Sequence, residues 1–294
     1  MWNSVINDLN IKKNIENKIF EINNVLLENL PSEQDFSLIG HFGGHILFNS
    51  YYTLLNKNIS KNEYVESQIN KKNIQINNIK SLKYSNGLFG YLYLAEYLNK
   101  EKFKKFKKEY FSVDLDLFDK LILDDRLDFL HGTVGFVNYL TAIDSNKANV
   151  LIFKWINFIK SRGYQKNDKI EWKVKYGLND NDYGLCFGLS HGVPAILLVL
   201  LKIASKFNDK ATEKLLSTVI NGMMEYLSFA DKSFFPLFET RNEGLIRNDR
   251  IGWCYGDVSC AYSIMLVGIF LNNEEFIKIS KTILLHYCKM SNEL

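Results

Sequence analysis

The segment 132–143, GTVGFVNYLTAI, opens with a Gly-x-x-Gly turn and continues as an apolar stretch with the composition of a buried helix. The same arrangement recurs along the chain, with a small residue replacing the second glycine in the last two copies. The units begin, 45 to 64 residues apart, at Gly40, Gly87, Gly132, Gly192 and Gly256. A unit that returns at such spacing is typical of a repeat architecture.

The segments between these units predict a second set of helices. They are more polar but keep helical periodicity, at 9–30, 64–79, 148–159, 211–229 and 274–288. Only three prolines interrupt the chain, and no sustained apolar/polar alternation predicts a sheet. Apolar inner helices that alternate with amphipathic outer helices predict an all-α fold, an α/α toroid of helical hairpins. Glycine at the mouth of each inner helix would let backbones approach closely.

Composition sets wide limits on function. With 294 residues, 47% of them hydrophobic, and no linker, the chain predicts a single domain, 1–294. The net charge of +3 gives no indication of a nucleic-acid partner. The N-terminus has no apolar core of a secretory signal. The longest apolar run, 195–201, is far shorter than the ~20 residues of a membrane span, so we expect a soluble cytoplasmic protein.

The segment RIGWCYG at 250–256 concentrates residues whose side chains could bind a metal or take part in catalysis. Asp257 could start the next helix alone by accepting its backbone N–H groups, so Cys254 is not needed for that purpose. Together with Gly-Leu-Ser-His-Gly at 188–192 and the repeated glycine turns, this sequence resembles the lanthionine synthetase C-like cyclases of lantibiotic biosynthesis. The resemblance covers nearly the whole chain, although Ala195 and Ser259 stand where glycine is usual.

The resemblance implies an α/α barrel of seven hairpins around a zinc ion. Cys254 would be one Zn²⁺ ligand, and a Cys-His pair in the next repeat would supply the others. His191 would transfer a proton, Arg250 would lie beside the metal, and Asp128 would match an acidic residue near the third repeat. The implied substrate is a ribosomally made precursor peptide that a separate dehydratase has already dehydrated.

The residue types suit that chemistry. Bound zinc deprotonates a thiol, and a catalytic zinc site with three protein ligands leaves a position for a substrate cysteine. Attack on dehydroalanine or dehydrobutyrine would close a thioether ring and leave an enolate. Arg250 could stabilise that enolate, and the imidazole of His191 could protonate it. Asp128 could orient a cationic partner or, equally, cap a turn. Cys186, Cys260 and Cys288 are interpreted as packing residues.

The C-terminal part departs from the family pattern. The expected Cys-His-Gly is absent, and the nearest substitute, His286-Tyr-Cys288, has the reverse order and lacks the glycine. The five units also fall short of seven hairpins. We therefore expect an N-terminal part of a longer protein, inactive by itself, whose remaining zinc ligands would fall at about 299–318 if the repeat spacing continues.

Two other functions remain open at this point. One is a metal-free scaffold of the same fold that binds peptides. The other is an α/α-toroid glycoside hydrolase, which would need two carboxylates on the inner face. Asp and Glu are sparse at the mouths of the repeats, which disfavours the hydrolase.

Overall fold

The computed structural model describes residues 9–29, 36–56, 65, 67–71, 81–100, 119, 122, 126–166, 169–175, 183–231, 233–240, 243–248 and 251–290. The chain forms two compact units, Met1–Phe111 and Ser112–Leu294.

Among the described residues of the first unit are three long helices, α1 (Leu9–Glu28), α2 (His41–Asn56) and α3 (Leu88–Lys100). α1 packs on α2. A core of large apolar side chains includes Phe42, Ile46 and Leu94. Both α2 and α3 begin at a Gly-x-x-Gly turn, as the sequence predicts. Most of the helix predicted at 64–79 lies outside the described residues.

The described part of the second unit contains three helical hairpins. Its helices are α4 (Thr133–Ala142), α5 (Asn146–Arg162), α6 (Val193–Phe207), α7 (Lys210–Met224), α8 (Asp257–Leu271) and α9 (Glu274–Met290). Each apolar helix packs on the amphipathic helix that follows it, and α6 also packs on both α4 and α8. The alternation of apolar inner and more polar outer helices is therefore confirmed in this unit.

Short polar turns reverse the chain inside the last two hairpins. Asn208 and Asn272 end α6 and α8 with φ of 50° and 52°, a left-handed conformation that asparagine tolerates better than most residues. Asp209 then caps α7, because its carboxylate accepts the backbone N–H of Thr212 at 2.9 Å. These local signals place each outer helix antiparallel to its inner helix.

In the residues that the structure describes, three small antiparallel β-hairpins are inserted between the helices, and the sequence did not predict them. Their strands are β1 (Tyr164–Lys166) with β2 (Lys169–Glu171), β3 (Val174–Lys175) with β4 (Tyr183–Gly184), and β5 (Phe238–Thr240) with β6 (Gly244–Ile246). Strands of two or three residues are too short for alternation to reveal. β5 also forms a bridge with the loop before α6, between Phe238 and Cys186.

The inner helices differ in burial. Residues 133–140 of α4 are all buried, whereas on α8 Tyr262 and Ile269 are 49% and 56% exposed. These two residues are seven positions apart and share one face of the helix. No helix in the described part of the chain is long and apolar enough to cross a membrane.

Candidate functional site

Three loops lead into the inner helices of the second unit, and two of them close with the same turn. In both, the N–H of the first residue of the helix donates to the carbonyl oxygen seven residues earlier. Thr133 donates to Arg126 O at 2.9 Å, and Val193 donates to Cys186 O at 3.0 Å. A Cβ on Gly132 or Gly192 would lie only 2.2 or 2.1 Å from those carbonyl oxygens. Glycine is needed at the helix mouth because backbone occupies the place of a side chain.

Neighbouring loops are joined in register by backbone hydrogen bonds. The N–H of Leu130 donates to Ser190 O at 3.3 Å, and the N–H of Leu189 donates to Trp253 O at 3.3 Å. The hydroxyl of Ser190 also donates to Cys254 O at 3.0 Å. A Cβ on Gly188 would lie 1.7 Å from the same Cys254 oxygen. The loops that carry Asp128, His191 and Cys254 therefore lie side by side.

Asp128 and His191 come together across two of these loops. The Asp128 side chain is 4% exposed, and its Oδ1 lies 3.8 Å from Nδ1 of His191, whose side chain is 23% exposed. The same oxygen accepts the backbone N–H of His131 at 2.6 Å. Asp128 thus stabilises its own turn and also faces the imidazole, so the two roles that the sequence left open are compatible.

Cys254 is half-buried and follows a tryptophan at the surface. Trp253 is 47% exposed, and its ring meets Phe129 edge-on with centroids 6.4 Å apart. Cys186 is buried, and desolvation, with smaller effects of Asp128 and Cys254, raises the pKa of its thiol to about 12.

Two of the three cysteines interpreted as packing residues are buried. Burial raises the pKa of the Cys260 thiol well above its ordinary value, as it does for Cys186. Both thiols therefore stay protonated at neutral pH. Cys288, by contrast, is exposed on α9, so its interpretation as a packing residue is wrong.

Asp257 does not cap its own helix, contrary to the expectation from sequence. Gly256 occupies the cap position with φ of 122°. The Asp257 carboxylate instead accepts the N–H groups of Phe234 and Phe235 at 2.8 and 2.7 Å. It also accepts the hydroxyl of Tyr287 at 2.6 Å. This buried carboxylate holds three separate segments together around the start of α8.

Ser259, one of the two departures from the glycine pattern, contributes to the same loop. Its hydroxyl lies 2.8 Å from Trp253 O and 3.1 Å from Gly252 O. The first turn of α8 is thereby tied to the residues just before Cys254. The side chain that replaces glycine here stabilises the candidate site.

The described residues do not form a metal site around Cys254. Arg250 lies outside the described residues. Within the described ranges, no three His, Cys, Asp or Glu side chains are grouped so that they could hold a metal ion. His286 packs edge-on against Phe234, with centroids 5.2 Å apart. The substitute ligand set of Cys254, His286 and Cys288 is therefore not formed.

Four side chains at the site form a column of rings that was not predicted from the sequence: His131, His191, Tyr255 and Phe238. Ring centroids are 5.7 Å apart for His131 and His191, 5.6 Å for His191 and Tyr255, and 5.7 Å for Tyr255 and Phe238. The first three residues each directly precede the first glycine of a repeat. That shared position could have predicted them, whereas Phe238 comes from β5 and had no signal in the sequence.

Comparison with known proteins agrees with this architecture. The family model described as lanthionine synthetase C-like protein matches residues 32–293. A solved structure of nisin cyclase superposes with a TM-score of 0.70 and 18% sequence identity, covering 96% of this chain and 76% of the cyclase. At that identity the likeness shows the α/α-toroid fold alone. No curated protein matches the chain.

Proposed function

The chain belongs to the lanthionine synthetase C-like family, and on that basis we propose that it is a peptide cyclase. It closes thioether rings by adding a cysteine thiolate to dehydroalanine or dehydrobutyrine in a precursor peptide. The observation that carries this proposal is the Asp128–His191 pair, 3.8 Å apart, on loops joined to the loop of Cys254.

Ring closure needs one proton to be delivered after the carbon–sulfur bond forms. The thiolate attacks the β-carbon of the dehydroamino acid, and the electron pair moves to the carbonyl as an enolate. His191 protonates the α-carbon of that enolate and is then neutral. The carboxylate of Asp128 faces Nδ1 of this imidazole at 3.8 Å, and its negative charge attracts the cationic proton donor. We assign Arg250 to the enolate oxygen, where its permanent charge would stabilise the developing negative charge.

The described residues by themselves do not fit a zinc site. The thiol of Cys254 is a suitable soft ligand, and we retain it as a proposed zinc ligand. A tetrahedral site needs at least two more protein ligands, and the described residues contain no group of three His, Cys, Asp or Glu side chains that could hold a metal ion. The zinc of the proposal therefore requires ligands outside this set, and the chain's own residues are assigned only proton transfer and orientation.

A peptide-binding scaffold without a metal is the second candidate. The incomplete set of ligands around Cys254 favours it, because Trp253 and the neighbouring loops could still hold a peptide. Membership of the lanthionine synthetase C-like family does not favour the glycoside hydrolase. Turnover separates the cyclase from the scaffold, since only a cyclase accelerates ring closure.

The test uses the natural full-length protein and a synthetic peptide that carries one cysteine and one dehydroalanine. Cyclisation leaves the mass unchanged but removes the thiol, so unreacted peptide is counted by mass after labelling with N-ethylmaleimide. We expect loss of labelling much faster than without protein. His191→Asn should slow it by a factor on the order of 10² to 10⁴, whereas His286→Asn, on an exposed histidine of α9, should not. Equal rates with and without protein would overturn the proposal.

A further inference from the structure

We propose that His131 is a positioning residue that holds the imidazole of His191 in the orientation needed to deliver a proton. Its effect on catalysis rests on the proposed function, but its effect on the His191 ring does not. The proposal starts from the column of rings, in which His191 lies between His131 and Tyr255.

The contact between His191 and Asp128 does not fix the ring by itself. At 3.8 Å, the distance from Nδ1 to Oδ1 exceeds that of a hydrogen bond. An imidazole can also flip about its last torsion unless neighbours restrict it. Some other contact must therefore hold the ring if Nδ1 is to face the carboxylate.

The two flanking rings provide that contact. The planes of His131 and His191 are inclined by 34°, and those of His191 and Tyr255 by 28°, with centroids 5.7 and 5.6 Å apart. These separations lie within the range of favourable ring pairs. A flip of His191 would have to take place between two neighbours whose loops are joined to its own by backbone hydrogen bonds.

His131 acts on the pair through two separate groups. Its backbone N–H donates to Asp128 Oδ1 at 2.6 Å, which fixes the carboxylate, while its ring lies against His191. A substitution of the side chain keeps the N–H and removes only the ring. The stacking role can therefore be tested without disturbing the Asp128 turn.

The experiment compares His131→Phe, which keeps an aromatic ring, with His131→Leu, which fills similar space without one. Histidine side chains are labelled with ¹⁵N, and the His191 signals are assigned by their loss in His191→Asn. In the wild type we expect one tautomer, with the proton on Nδ1 facing Asp128. His131→Phe should keep it, and His131→Leu should show a mixture. His286→Leu should leave the His191 signals unchanged.

Ring closure gives a second readout of the same variants. His131→Leu should lower kcat by a factor on the order of 10 to 10², because a small misplacement of a catalytic group is costly, with KM unchanged. His131→Phe should restore most of the loss. Circular dichroism checks that both variants fold. If one of them does not fold, His131→Ala is measured in its place.

The outcomes separate the two proposals. If His131→Leu and His131→Phe both leave the His191 tautomer and kcat at wild-type values, His131 has no positioning role. If the tautomer responds as expected but the wild type closes no ring, the cyclase proposal fails and the positioning of His191 stands.

Discussion

Nδ1 of His191 lies 3.8 Å from Oδ1 of Asp128, although the two residues precede different hairpins. The loops that carry them meet through the N–H groups of Phe129 and Leu130, which both donate to Ser190 O. A single carboxylate, almost fully buried, thus faces the one histidine proposed as proton donor. Asp128 and His191 come together because the loop of one repeat is hydrogen-bonded to the loop of the next repeat.

Replacing Asp128 by asparagine should slow ring closure without disturbing the loop. Asparagine keeps an oxygen that can accept the His131 N–H but loses the negative charge that faces the His191 imidazole. The 3.8 Å contact with His191 is an interaction between charges and not a hydrogen bond. Such an interaction is worth about 1 to 4 kcal/mol at this distance, so we expect the rate to fall on the order of 10-fold or more. The rate is measured with the dehydroalanine peptide, and an unchanged rate would reduce Asp128 to a turn residue.

The four thiols should differ sharply in their reaction with iodoacetamide. Cys288 is exposed and Cys254 half-buried, so both should react in the native protein near pH 8. Cys186, with its pKa raised to about 12, and Cys260, raised well above its ordinary value, should react only after unfolding. Peptide mapping identifies the labelled residues, and native labelling of Cys186 would contradict its burial.

The raised pKa values of the two buried thiols predict that the free energy of unfolding decreases at alkaline pH. Each folded-state pKa is raised above the ordinary value of 9.0, so the unfolded chain loses these protons first. Their contribution to stability is therefore complete below about pH 9 and is lost at higher pH, in the case of Cys186 as the pH rises towards about 12. Urea unfolding at pH 8 and pH 10 measures the loss, which should be smaller in Cys186→Ala.

Gly188→Ala should destabilise the second unit strongly. The new Cβ would lie 1.7 Å from Cys254 O and 2.9 Å from the Tyr255 Cα, so the two loops would have to separate. We expect a loss on the order of 3 kcal/mol, measured by urea unfolding. Gly44→Ala is the control: apart from its chain neighbours and the backbone of its own helix, no atom lies within 4 Å of the added Cβ, so a gain of about 0.4–1 kcal/mol is expected.

Tyr287→Phe should weaken the attachment of α9 to the start of α8. The hydroxyl donates to the buried Asp257 carboxylate at 2.6 Å, and its loss should cost about 1.5–3 kcal/mol of the free energy of unfolding. Tyr262→Phe, on a tyrosine that is 49% exposed, should change it by less than about 0.5 kcal/mol. Equal effects of the two variants would show that the buried hydrogen bond contributes little.

Zinc content tests whether the 294-residue chain contains a complete metal site. One thiolate cannot form a tetrahedral site by itself, and no three potential ligands are grouped among the described residues. The 294-residue chain should therefore retain well below one zinc ion per chain after dialysis. Elemental analysis gives the ratio. One tightly held zinc that is lost in Cys254→Ala and also in Cys288→Ala would contradict this and make His286 and Cys288 ligands after all.

The sequence alone determined the helical hairpins of the second unit and the loops between them. Helical periodicity, apolar inner segments and glycine at the helix mouths are local properties, which neighbouring residues decide. For that reason α4 to α9 lie where the patterns predict them, and so do the loops that carry Asp128, His191 and Cys254.

Tertiary structure alone decided which loops meet and which side chains face each other. The register of the loops brought His191 between His131 and Tyr255, and it made Asp257 a partner of Phe234, Phe235 and Tyr287 instead of a helix cap. A buried carboxylate needs hydrogen-bond donors, and the packing of the chain decides which donors lie within reach. Because those donors lie far away along the chain, no local pattern could have identified them.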